Sequence, residues 1–122
     1  MTDTTPTPAT PEQIAERRAQ AAEIIEQFGG RRFIAMVGAR DFVFEARSEH
    51  ANILFKFMGS RKATHVKIEE NGLDLYTVTF TRVRSFKINP VKTFENVYFD
   101  SLKSIFEDVT GLATTFPVFK NL

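Results

Sequence analysis

Residues 63–84, ATHVKIEENGLDLYTVTFTRVR, constrain the fold more than any other stretch of the chain. Asn71-Gly72 lies between two runs of alternating polarity. Both central residues of a two-residue type I′ turn need positive φ, which Asn and Gly adopt at least cost. Val66 and Ile68 alternate with Lys67 and Glu69 before this pair, and Tyr76, Val78 and Phe80 alternate with Thr77, Thr79 and Thr81 after it. The period of two predicts an antiparallel hairpin turning at Asn71-Gly72, with one face buried and the other wet.

The flanking segments extend this sheet. Arg31–Val37 (RRFIAMV) reads as a strand, and Gly38-Ala39-Arg40 as a tight connection. Phe42, Phe44 and Ala46 alternate with Val43, Glu45 and Arg47 in a second strand, and Ile53, Phe55 and Phe57 alternate with Leu54, Lys56 and Met58 in a third. Residues 85–93 read as an edge strand, because Pro90 cannot donate to a ladder. Two helices bracket the strands. Thr10-Pro11-Glu12-Gln13 is a helix start with Thr10 as N-cap, Pro11 at N1 and Gln13 closing a capping box. Ile14, Ala21, Ile25 and Phe28 form its apolar stripe, and Gly29-Gly30 its stop. A second helix is expected over Val97–Val109, capped by Asn96 and stopped at Gly111. The fold class is therefore α+β: an N-terminal helix, five to six mainly antiparallel strands, and a C-terminal helix packed on the sheet, as one domain over residues 11–122. The Thr/Pro-rich residues 1–10 are expected to be disordered.

Composition narrows the chemistry. There is no cysteine, which excludes disulfides and thiolate sites. No apolar run approaches the ~20 residues of a membrane helix, and the N-terminus lacks the basic and apolar regions of a secretory signal, so a cytoplasmic setting is expected. The charge is segregated. Residues 31–92 carry twelve Lys/Arg against six acids, whereas both helical ends are acidic. Thirteen Phe residues without a Trp point to a core filled by large rings.

No catalytic or metal constellation emerges. His50 and His65 are the only histidines and have no ligand spacing. Glu69-Glu70 and Glu107-Asp108 are adjacent carboxylates that point apart on a strand or a helix. No motif requires a cofactor. The strand cations form the one functional signal. Lys56, Lys67, Arg82, Arg84 and Lys87 fall on adjacent predicted strands, with Arg61-Lys62 in a connecting loop. Such groups neutralise phosphates, and an exposed aromatic, Phe86 or Tyr76, would stack on bases.

The Gly29-Gly30-x-x-Phe33-Ile34 and Gly38-Ala39-x-Asp41-Phe42 runs, Asp74-Leu75-Tyr76, and Val97-Tyr98 through Thr110-Gly111-Leu112 resemble a group of small phage- and prophage-encoded proteins of uncharacterised activity. The resemblance covers roughly residues 25–115 and implies a bacterial cytoplasm during infection; it implies no activity and no catalytic residues. The expectation is a phage-type nucleic-acid-binding protein, favouring single strands or reading little sequence. Lys56, Arg61, Lys62, Lys67, Arg82 and Arg84 would hold phosphates on a basic sheet face, and Phe86 would serve as stacking platform. The alternative is a non-enzymatic interaction module, an inhibitor or adaptor of a host or phage protein. It would dock or self-associate through Ile14, Ala21 and Ile25 of the first helix and through Phe116 and Phe119 of the tail.

Overall fold

A computed structural model describes residues 9–114. Residues 1–8 and the apolar tail with Phe116 and Phe119 lie outside the described residues. Helix α1 (Pro11–Phe28) starts as its sequence dictates: Thr10 Oγ1 accepts from the Gln13 amide, and the Gln13 side chain accepts from the Thr10 amide. Such a box satisfies amides that the first turn leaves unpaired. Ala21, Ile24, Ile25 and Phe28 are buried.

The first departure from expectation follows at once. Residues Arg31–Val37 form a short helix, α2, not a strand. A continuous apolar run of five residues looks the same to a periodicity test in a buried helix and in a strand. Helical spacing decides it: Phe33 and Val37, four apart, are both buried. Gly30 permits the sharp bend from α1 to α2, with φ 60° and ψ −131°. A Cβ there would meet the Glu26 carboxylate at 2.8 Å. Gly38 ends α2 in the left-handed region.

The strands β1 (Arg40–Val43), β2 (Asn52–Lys56), β3 (His65–Glu70), β4 (Tyr76–Arg84) and β5 (Lys87–Val97) form one antiparallel sheet in sequence order. The expected strand over Phe42–Ala46 is confined to β1. Buried Asn52 holds the loop after it, accepting from the Glu45 amide at 2.9 Å and donating to the Glu45 and His50 carbonyls. Chain order and pairing carry α3 (Leu102–Thr110) and α1 to the same sheet face. The expected start of α3 at Val97 is corrected. Val97 ends β5, Asn96 sits at φ 56° in a strand irregularity and caps nothing, and a 3-10 turn over Phe99–Ser101 leads into α3.

The β3–β4 hairpin forms, but its turn differs from the expected one. Glu70 pairs with Tyr76, so Asn71–Leu75 is a five-residue loop. Asn71 Oδ1 accepts from the Leu73 amide at 3.0 Å, an Asx turn. The physical reason is register. A two-residue turn at Asn71-Gly72 would pair Glu70 with Leu73 and Val66 with Thr77, turning Tyr76, Val78 and Phe80 away from the core. A register slip by an odd number of residues moves every side chain to the other face. The observed pairs Ile68–Val78 and Val66–Phe80 bury all four residues. Burial of apolar area outweighs the turn preference.

Between the sheet and the helices lies a cluster of Phe rings. Phe28, Phe33, Phe55, Phe57, Phe80 and Phe106 are all fully buried. Phe106 alone meets four of the others, at ring-centroid distances from 5.0 Å to 6.3 Å. Most contacts are edge-to-face, the geometry the ring quadrupole favours, each adding about 0.5–1.5 kcal/mol beyond area burial.

Candidate nucleic-acid interface

Strand β3 stops at His65, opposite Thr81, while β4 and β5 continue as a two-stranded arm. The arm stands roughly 10 Å beyond the sheet, from the rise of three strand residues. Thr64 secures its root: the Thr64 amide donates to the Thr81 carbonyl at 2.9 Å, and Thr64 Oγ1 accepts from the Val83 amide at 2.8 Å. Every residue from Arg84 to Thr93 is exposed.

Arg84 pairs with Lys87, so Ser85-Phe86 is a two-residue turn. Both residues have positive φ, 53° and 65°. The type I′ geometry expected at Asn71-Gly72 is thus found at Ser85-Phe86. Phe86 is not a strand residue but the arm's tip, with a relative exposure of 104%.

Pairing fixes which side chains share a side. Tyr76, Val78 and Phe80 face the helices, so Arg82 and Arg84 follow on the same side, opposite Asn89 and Lys87. A bulge at Val91 brings Lys92 opposite Phe80, also on this side. The Lys92 ammonium lies 4.8 Å from the Phe94 ring centroid. Ser60 completes the cluster. Its hydroxyl donates to the Thr110 carbonyl at 2.8 Å and accepts from the Lys62 amide, tying the Arg61-Lys62 loop to the end of α3. Arg61, Lys62, Arg82, Arg84, Lys87 and Lys92 therefore line one side of the arm and its root. Among the described residues, none of them has a carboxylate within 4.0 Å.

The expectation of a single basic sheet face is corrected in two places. Lys56 and Lys67 point to the opposite, uncovered face of the sheet, because they alternate with the buried Phe55, Val66 and Ile68. Lys67 there is shared between Glu45 and Glu69, each at 3.9 Å. Tyr76, the second aromatic candidate, lies half-buried at the end of the sheet remote from the arm, where burial pushes its phenol above the ordinary value. Lys92 was invisible to sequence reasoning, since only the bulge at Val91 sets its side. The alternative interface is corrected as well: Ala21 and Ile25 are 2% and 8% exposed, packed in the chain's own core, and only Ile14 is partly open.

At the arm's root, between β5 and α3, runs an open groove of about 610 Å³. Arg61, Lys62, Arg82 and Lys92 stand on its rim; Val91, Phe94, Ile105 and Val109 supply apolar lining, and Asp108 is its one acid. Among the described residues no group of three or more His, Asp or Glu is arranged to hold a metal ion, and no helix is long and apolar enough to cross a membrane.

The chain is thus an α+β protein with a five-stranded antiparallel meander, helices on one face, and a cationic two-stranded arm. No protein-family model matches it, nor does any curated protein or solved structure.

Proposed function

We propose that this protein is a non-enzymatic nucleic-acid-binding protein that reads little sequence and grips its ligand with the β4–β5 arm. Phe86 carries the reading. A two-residue hairpin turn of this type is most stable with Asn-Gly, and a bulky residue with positive φ is an outlier. Here an aromatic ring occupies that strained position, fully exposed between Arg84 and Lys87. Strain of this kind, of order 1–3 kcal/mol, persists where it serves a function. An exposed ring beside cations stacks on bases, and the cations along the arm replace condensed counterions on phosphates. The resemblance to phage-encoded proteins supports a bacterial cytoplasmic setting for this activity.

Fluorescence anisotropy with a labelled oligonucleotide at low salt tests the reading. With about five phosphates neutralised on a single strand, log K should fall with log salt at a slope of about −3.5. The double charge reversal Arg84→Glu/Lys87→Glu should weaken binding at least about tenfold without lowering the melting temperature, because both side chains are exposed. Unchanged affinity in that variant would remove the arm from the interface. One observation favours the second reading, a non-enzymatic module that docks to another protein. The reverse side of the arm pairs Val83 with Ile88, the latter 71% exposed. Absence of any salt-sensitive oligonucleotide binding would favour it.

A further inference from the structure

The groove at the arm's root does more than continue the cationic track. We propose, resting on the nucleic-acid reading, that it seats one unstacked base of a single strand, with Asp108 accepting hydrogen bonds from the base edge. Its volume of about 610 Å³ lies in the range of roughly 300–1,000 Å³ of small-ligand sites. The chemistry has the three parts a nucleotide needs. Val91, Phe94, Ile105 and Val109 give an apolar lining for a ring. Arg61 and Lys62, on the loop pinned by Ser60, line the same groove and supply cations for a phosphate. Asp108 supplies an acceptor in otherwise cationic surroundings.

Asp108 is the informative residue. It lies in the last turn of α3, where the helix dipole disfavours negative charge and no basic residue of that turn offsets it. Among the described residues it has no cation within 4.0 Å, although four surround the groove. Its carboxylate thus keeps its acceptor capacity for a ligand. A carboxylate accepts from paired N–H donors on one edge of a base and is repelled by carbonyl oxygens. Guanine presents adjacent N1–H and N2–H donors. Thymine presents a single N–H flanked by two carbonyls. The groove should therefore prefer guanine over thymine. Such an edge is available only when the base is unpaired, so duplex should bind the arm but not the groove.

The test compares three labelled probes: an oligothymidine strand, an alternating thymidine–guanosine strand, and a blunt duplex of the same length. Wild-type protein should bind the guanosine-containing strand about tenfold more tightly than oligothymidine, and either strand more tightly than duplex. Asp108→Asn should bring the two single strands to within about twofold of each other, chiefly by tightening oligothymidine binding. Val91→Gln, on an exposed floor position, should weaken both single strands several-fold and leave duplex binding unchanged. Equal guanosine and thymidine affinities in wild type, or an unaltered ratio in Asp108→Asn, would overturn the base assignment. If the Arg84→Glu/Lys87→Glu variant nevertheless loses all binding, the arm reading stands without the groove. If wild type binds none of the probes, both are overturned.

Discussion

Two residues, one at the arm's tip and one at its root, show how much rests on single torsions and protons. Phe86 combines strain with exposure, and two substitutions separate them. Phe86→Gly relieves the positive φ and removes the ring, so it should raise stability by about 1 kcal/mol while weakening oligonucleotide binding. Phe86→Ala removes the ring but keeps a Cβ in the left-handed region, so it should weaken binding equally with no gain in stability. Chemical denaturation with parallel anisotropy checks both. His65 acts through a proton. Its pKa is lowered from 6.5 by burial and by Lys56, against a smaller opposing effect of Asp41. Because the folded state binds the proton less well than the unfolded chain, stability is complete above about pH 6.5 and is lost as pH falls through the lowered value. The loss has a place. Thr64 Oγ1 already accepts from the Val83 amide and lies 2.8 Å from His65 Nδ1, with the Thr81 carbonyl 3.5 Å away as the hydroxyl's other acceptor, so an imidazole in the Nε2–H tautomer accepts a hydrogen bond from that hydroxyl. A protonated ring offers an N–H instead and disturbs the arm's root. Amide exchange at Val83 should accelerate on acidification relative to a His65→Gln variant.

At the scale of elements, much was legible and the failures have physical causes. The capping box of α1, the Gly stops, the apolar alternation of β2, β3 and β4, and the edge character of the Pro90 strand all follow from local chemistry. Arg31–Val37 was misread because five consecutive apolar residues carry no period. The turn at Asn71-Gly72 was misread because two local signals disagreed, and the core settled the conflict in favour of the strand faces. That account makes a prediction. Deleting Leu73–Leu75 leaves Asn71-Gly72 as a two-residue loop between Glu70 and Tyr76, the pair already present. The variant should melt cooperatively near the wild-type temperature and bind oligonucleotide normally, since this loop lies at the end of the sheet opposite the arm. A multistate melt with lost near-ultraviolet circular dichroism would show that the long loop, not the strand faces, holds the register. Of the candidate site, Arg61, Lys62, Arg82, Arg84 and Phe86 converge. Lys56 and Lys67 do not, because they alternate with buried Phe55, Val66 and Ile68 and so face away from the helices, whereas Arg82 and Arg84 follow Phe80 on the helix side.

Across the whole molecule, the proposed interface and the core occupy largely separate regions. The Phe cluster holds the body together, and Phe106 is its hub. Phe106→Ala should cost about 3–5 kcal/mol, a large share of the roughly 5–15 kcal/mol that a domain commands. Thermal melting checks it, and any protein that stays folded should keep its oligonucleotide affinity. Of the arm's cations, only Lys92, paired opposite Phe80, borders that cluster; Arg82, Arg84 and Lys87 lie beyond it. Charge segregation should also be visible in kinetics: α1 carries four Glu against two Arg, whereas the arm's cations have no carboxylate partner among the described residues, so association with a polyanion should slow as salt rises while dissociation changes less.

Because the two strands of the arm keep one register from the Thr81–Pro90 pair to the Arg84–Lys87 pair, its length is free to vary only in certain steps. Adding one residue to each strand would move the Arg84–Lys87 pair to the reverse side and set it beside Val83 and Ile88. Adding two to each would restore the polarity of both sides and carry the aromatic tip about 7 Å farther out. Chains of this build should therefore differ in arm length by whole pleats, a rule that any longer or shorter natural version, or any engineered one, must obey to keep a charged side charged.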